Sequence, residues 1–167
     1  MKPIGCVLIG VIALCACGEQ AETVAVAVDI DPNASCALDG MLLAVHEGPK
    51  SQIQRADGSR AFFCDTKEVF GELLDPVRRR RVIGVWLQTL DEHSWEAHAD
   101  GWQPADSLLL VVESRNMGAM GPTLAPFAAR DAARRFVADY SGRIVRFQDV
   151  DATLLEKLQQ QGMAHLD

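Results

Sequence analysis

The chain has 167 residues with 16 basic and 23 acidic side chains, a net charge of −7, and 49% hydrophobic residues. That acidity argues against a nucleic-acid partner, because a phosphate backbone repels such a surface. The length suits one domain of ordinary size or two small ones.

The first 16 residues have the form of an export signal. Met1-Lys2 gives a positive start, and Ile4 to Leu14 is an apolar run too short to span a bilayer as a helix, which takes about 20 residues. Leu14-Cys15-Ala16-Cys17 resembles a bacterial lipobox, which makes residues 1–16 a lipoprotein signal peptide and Cys17 the lipid-modified N-terminus. Cys6 and Cys15 are then discarded. The mature chain carries 15 basic and 23 acidic residues and is anchored to a membrane rather than spanning it. It faces the periplasm, and Gly18 after the lipidated residue favours the outer membrane over the inner.

Residues 17–23 are small and polar, a tether. Val24 to Val28 alternates β-branched residues and predicts a first strand. Asp29 to Ser35 is a loop, and Met41 to Val45 predicts a second strand, broken at Gly48-Pro49. Asp57-Gly58 predicts a hairpin turn between strands at 52–54 and 61–63. Asp65 and Glu68 have capping-box spacing ahead of a helix with Val69, Phe70, Leu73 and Leu74 on one face, ended by Pro76. Arg78 to Arg81 is a basic run beside a buried-strand candidate, Val82 to Leu87, and suits a solvated gatekeeper. Asp91, Glu92 and Glu96 near His93 have the character of a solvated polar segment. Leu108 to Val112 predicts a strand.

Met117-Gly-Ala-Met120-Gly-Pro122 follows. Its glycines disfavour a helix interior or a central strand, so it predicts a loop offering two thioethers. Such methionines either fill gaps in a core or ligate a soft cation such as Cu(I). Asp131 to Tyr140 predicts a helix ending at Gly142, Ile144 to Phe147 a strand, and Asp151 the cap of a last helix ending at Gly162. Strand, strand, helix, strand thus occurs twice. Ala61-Phe-Phe-Cys64 loosely parallels Ala125-Pro-Phe-Ala128. The expected architecture is α+β with two similar ββαβ units in tandem, at residues 24–90 and 91–167, the second carrying the C-terminal helix.

Catalytic motifs are absent: there is no Ser-His-acid arrangement, no Gly-rich phosphate loop, no His-Glu-x-x-His and no Cys-x-x-Cys. Cys36 and Cys64, 28 positions apart, lack the spacing of a zinc ribbon. Neither has His and Met in the order of a blue-copper loop. Cys36, Met41 and His46 form a sensible donor set for Cu(I). A Cys36–Cys64 disulfide is the competing reading, since an oxidising compartment permits one. His93 and His98 complete the possible imidazole donors, while His165 lies in a terminal segment.

Five pieces in order resemble the NosL family, lipoprotein accessory factors of nitrous-oxide reductase maturation. They are Cys36-Ala-Leu-Asp-Gly-Met41, Gly48-Pro49-Lys50 followed by Gln52, Phe62-Phe63-Cys64-Asp65-Thr66, Met117-Gly-Ala-Met-Gly-Pro122-Thr123, and Gly142-Arg-Ile-Val-Arg-Phe147. The resemblance runs from the lipobox to about Val150. It implies a periplasmic Cu(I)-binding protein, not an enzyme, that supplies copper for the reductase's copper–sulfide centre. Its implied partners are a copper transporter complex and the apo nitrous-oxide reductase. It also implies the two-unit fold related to organomercurial lyase. Many relatives have Cys-x-x-Cys-Gly-Met at the first piece. Asp39 stands at the second Cys position here, so no dithiolate forms within that piece. The resemblance places Met120 first among the metal ligands, then Cys36, then Met41, Met117 and Cys64. Two other functions stay open: a structural lipoprotein with a Cys36–Cys64 disulfide and no metal, and an organometal lyase using Cys36, Cys64 and Asp65.

Overall fold

A computed structural model describes residues 24–92, Trp95 and residues 101–164. The signal peptide, the tether with Cys17 and Gly18, and His93, Glu96, His98 and His165 lie outside the described residues. Among the described residues, no helix is long and apolar enough to cross a membrane.

The fold is α+β, as expected, and is built on two antiparallel sheets. β1 (Ser51–Arg55) and β2 (Arg60–Phe63) form a hairpin whose turn holds Gly58 at φ +83°. Two short helices follow, α1 (Phe70–Leu73) and α2 (Pro76–Arg79). Pro76 ends one helix by starting the next. It occupies the first turn of α2, whose amides at Val77 and Arg78 bond to the Asp75 carboxylate, and a first-turn proline has no amide to waste there. β3 (Val82–Gln88) and β4 (Trp102–Pro104) complete a sheet of order β2-β1-β3-β4.

The second sheet contains β5 (Leu109–Val112), β8 (Ala125–Phe127) and β9 (Arg143–Arg146) in the order β8-β5-β9. Between β5 and β8 lies a miniature ladder, β6 (Met117–Gly118) with β7 (Gly121–Pro122). Helix α3 (Arg130–Tyr140) packs on β5, β8 and β9. In both sheets the first strand is central and antiparallel to its two neighbours, and the helical segment joins the second strand to the third. Ala61 to Phe63 and Ala125 to Phe127 occupy equivalent places, on the second strand of each.

The two sheets share one core. Ile53, Phe63 and Leu87 of the first, with Phe70 of α1, pack in one cluster with Leu110 and Val112 of the second, closed by Leu154 and Leu158 of α4 (Ala152–Ala164). The Leu154 amide bonds to the Asp151 carboxylate at 2.8 Å, the expected cap. Helix α4 does not stop at Gly162. Pro122 lies against it there, with ring carbons 2.8 and 3.2 Å from where a Cβ would stand, so this glycine serves a close approach rather than a helix end.

Three local expectations change. Val24 to Val28 forms no strand. Its backbone bonds to side chains instead: the Val26 and Val28 amides donate to Gln54 and Gln52, and Gln52 donates back to the Val28 carbonyl at 2.9 Å. Met41 to Val45 is also no strand. Leu42 makes a single bridge to Ser35, and Leu43–Val45 is a 3-10 turn that buries Leu43. Asp91 is not merely solvated. It holds the entry to α3 from 37 residues away, accepting from the Ala128 and Ala129 amides at 2.8 and 2.7 Å, the two residues ahead of the helix.

Candidate metal centre

The site begins with the turn Cys36 to Met41. The Cys36 amide donates to the Met41 carbonyl and the Gly40 amide to the Cys36 carbonyl. Gly40 at φ +77° closes the turn, and Asp39 accepts from the Met41 amide. The Ala37 amide donates to the Phe62 carbonyl at 2.8 Å, which docks the turn on β2 two residues before Cys64. Residues 28 apart in sequence are thereby brought into one buried cluster: Cys36, Leu43 and Cys64, with Met41, Phe62 and Ala119 packed against it.

Cys64 opens a turn that ends at Glu68. Glu68 accepts from the Asp65 amide at 3.2 Å, but α1 begins only at Phe70 with Val69 as its N-cap, so the expected capping box closes a turn and does not start the helix. It also reaches both sulfurs: Cys36 Sγ lies 3.4 Å and Cys64 Sγ 3.5 Å from its carboxylate oxygens. Both cysteines are free thiols, so no disulfide joins them in this structure. Burial raises both thiol pKa values, Cys64 strongly, with the Glu68 charge adding to the effect. Burial likewise raises Glu68. Asp39, Cys36, Cys64 and Glu68 each offer a donor atom within 4.8 Å of the other three.

The methionine segment is a hairpin docked on the same turn. The Lys67 ammonium donates to the Met120 and Pro122 carbonyls. The Thr123 hydroxyl donates to Asp65 Oδ1, and Thr66 donates to the Leu124 carbonyl. Asp65 is almost fully buried, and burial lifts its pKa despite the Thr123 bond. The hairpin meets the cysteine cluster through Ala119. The side chains of Met117 and Met120 are partly exposed, at 38% and 43%. Of the five sulfur candidates, then, Cys36, Cys64 and Met41 sit in the cluster, and Met117 and Met120 stand on the exposed hairpin beside it. His46 closes the 3-10 turn, half-buried. Trp95 bridges the two rims, accepting from the Gly48 amide and donating to the Met117 carbonyl.

A buried base underlies the site. Lys50 is 1% exposed, and its ammonium donates to the carbonyls of His46, Glu47 and Gly48. The β1–β2 register, Ser51 opposite Phe63, places Lys50 across from Cys64 when extended by one residue. Burial lowers the Lys50 pKa, while the negative charges around Cys64, Asp65 and Glu68 counteract it. Sequence reasoning missed Glu68 and Lys50 at the site. Glu68 stands four residues after Cys64, one helical turn, and that spacing was the available signal.

A family model described as NosL matches residues 27–155. The chain belongs to the NosL family. The copper-binding lipoprotein NosL of Stutzerimonas stutzeri is 32% identical over 150 residues, covering 86% of this chain and 77% of that protein. The copper-binding lipoprotein NosL of Achromobacter cycloclastes is 31% identical over 149 residues, covering 85% and 77%. The crystal structure of the copper chaperone NosL from Shewanella denitrificans superposes with a TM-score of 0.73 at 30% identity, covering 76% of this chain and 96% of that one. The thiol pair and the Met hairpin both fall within the residues matched to the NosL family.

Proposed function

We propose that this chain is a copper(I)-binding lipoprotein that carries copper for assembly of the copper–sulfide centre of nitrous-oxide reductase. The observation that carries the reading is the docking of a two-methionine hairpin, through Ala119, on a buried pair of free thiols with Met41 alongside. Thiolates and thioethers are the donors Cu(I) prefers. The names of the two lipoprotein relatives and of the Shewanella chaperone support copper as the cargo.

Cys36 and Cys64 supply the thiolates, Met120 the leading thioether, and Met41 and Met117 further sulfur at the inner and outer ends of the path. A site open on the hairpin side suits a carrier, because a recipient's ligand can replace Met120 before the thiolates let go. The protein performs no chemical conversion of its own. Lipid on Cys17 holds it in the periplasm, on the outer membrane by the Gly18 criterion, where a copper transporter complex loads it and the apo reductase receives the metal.

The test is a Cu(I) titration of the reduced protein against a chromogenic chelator. One Cu(I) per chain is expected. Met120→Ala should weaken affinity by at least about tenfold, the scale on which even outer-shell partners of a metal act. Unchanged affinity in that variant removes Met120 from the site. The disulfide reading keeps one observation in its favour, the closeness of the two sulfurs, within 4.8 Å. Thiol titration of the native protein separates the two: two free thiols support the carrier, none supports a structural cross-link.

A further inference from the structure

We propose that the basic end of the first sheet, from Val77 to Ile83, is a membrane-facing surface that docks on anionic phospholipid headgroups. Arg78 to Arg81 are all exposed. Arg78 is already neutralised by Asp75 and Glu72, and Arg81 by Asp57 at 3.0 Å. Arg79 and Arg80 have no ion-pair partner among the described residues. On a chain of net charge −7 they are a local surplus of positive charge. Beside them Val77 is 72% exposed and Ile83 40%. Guanidinium binds phosphate, and aliphatic carbon enters the boundary below it, so this mixture suits a headgroup layer.

The path of the chain favours a lipid surface over an acidic protein. Val28 to Val24 runs along the sheet from Gln52 to Gln54, whose side chains hold the Val28 and Val26 amides. It leaves beside the arginines. Ala25 and Arg79 line one groove with Ile83 and Gly84, and a Cβ at Gly84 would stand 2.9 Å from Ala25 Cβ. The stretch from Cys17 to Val24 spans at most about 25 Å when fully extended. The inference rests on the proposed lipid at Cys17, which ties the patch within that distance of the leaflet. Charge is felt over only about 8 Å at physiological salt, so the anchor permits contact and the arginines select it. Tethering raises the local headgroup concentration, and a weak attraction then suffices. β1 decides what the docked protein presents. Its first residue, Ser51, pairs with Phe63 beside Cys64, and its last, Arg55, pairs with Val82 beside the arginines. These ends stand about 13 Å apart at ordinary strand rise. With the arginine end on the membrane, the thiol pair and the Met hairpin lie at the far end, open to periplasmic partners.

The experiment places the mature, lipidated chain on vesicles of phosphatidylcholine alone and on vesicles containing roughly one-third phosphatidylglycerol, an anionic surface. Co-flotation with the neutral vesicles reports on the anchor, and hydrogen exchange of residues 77–83 reports on docking. Exchange there should be slower on the anionic vesicles, and high salt should remove the difference. Each arginine at an anionic surface is worth roughly fivefold, so Arg79→Gln with Arg80→Gln should lower the docked-to-free ratio by roughly 25-fold and abolish the protection. Exchange in the Met hairpin, 117–122, should be the same on both vesicles. Protection that the double variant retains overturns the proposal, and so does protection of the hairpin instead. A chain that does not float with neutral vesicles refutes the lipid anchor and this inference with it. A chain that floats but exchanges equally at 77–83 on both vesicles refutes the docking alone, and leaves Arg79 and Arg80 as solvated gatekeepers of β3.

Discussion

Gly118 has no room for a side chain. A Cβ there would stand 2.9 Å from Thr123 Cβ and 3.0 Å from Asp65 Cγ, and closer still to Asp65 Oδ2. Carbon atoms pack best at about 3.5–4.0 Å, so Gly118→Ala forces a shift of roughly 1 Å. Asp65 cannot yield, because Thr123 and the Lys67 amide fix its carboxylate within the core. The hairpin must move instead, away from Cys64. Overpacking of this kind costs about 1–3 kcal/mol. At roughly 2–4 °C per kcal/mol for a chain of this size, a central value near 2 kcal/mol lowers Tm by about 4–8 °C. If the hairpin positions Met120 for copper, Cu(I) affinity should fall with it. Thermal unfolding and a chelator-competition titration measure the two effects. Gly71→Ala is the control: a Cβ there meets nothing within 4 Å, and the exchange in a helix should stabilise by about 0.4–1 kcal/mol. A Gly118→Ala protein with unaltered Tm and unaltered copper affinity would refute the reasoning.

Glu113 accepts from Lys157 of α4 at 2.7 Å and from Arg143 of β9 at 3.4 Å, and the Lys157 bond is the main reason its carboxyl titrates low. A depressed folded-state pKa contributes stability above the unfolded value, about 4.3, and loses it as pH falls through the folded one. Glu113→Gln should therefore cost up to about 1 kcal/mol at pH 7, the ceiling for a largely solvated pair, and nothing at pH 2. Equal Tm differences at both pH values would contradict the assignment. Gln52 is fully buried and holds both the amide and the carbonyl of Val28. Gln52→Leu leaves both unpaired, at about 1–3 kcal/mol, and hydrogen exchange at Val28 should quicken while that of the β5 strand follows global stability.

What was legible in the sequence depended on local pattern. Asp57-Gly58 marks its hairpin, Asp151 its helix, and the alternation or apolar runs at Val82 to Leu87 and Leu108 to Val112 mark central strands, because each signal acts over a few residues. The failures are long-range. Val24 to Val28 has the composition of a strand, but its partners are glutamine side chains some 24–28 residues on. Asp91 looks like surface until the two amides ahead of α3 reach it. At the site, Cys36, Cys64 and Met41 could be named from residue type and family resemblance. Glu68 was visible only as a capping residue, and Lys50 only as part of the Gly48-Pro49-Lys50 piece, with no role attached. Its burial follows from three carbonyls that the turn at 46–48 aims inward, an arrangement no spacing rule contains.

The shared core sets what covers the thiols. Cys36 and Cys64 are both buried in the finished fold, at 3% and 0% exposure. Part of their cover, Ala119, comes from the hairpin, and that hairpin is backed by α4 through Pro122 and Gly162. That side of the cover therefore depends on residues 117–122 and α4 together, and a local opening of α4 from the hairpin loosens the packing over the thiol pair while Leu43, Met41 and Phe62 stay in place.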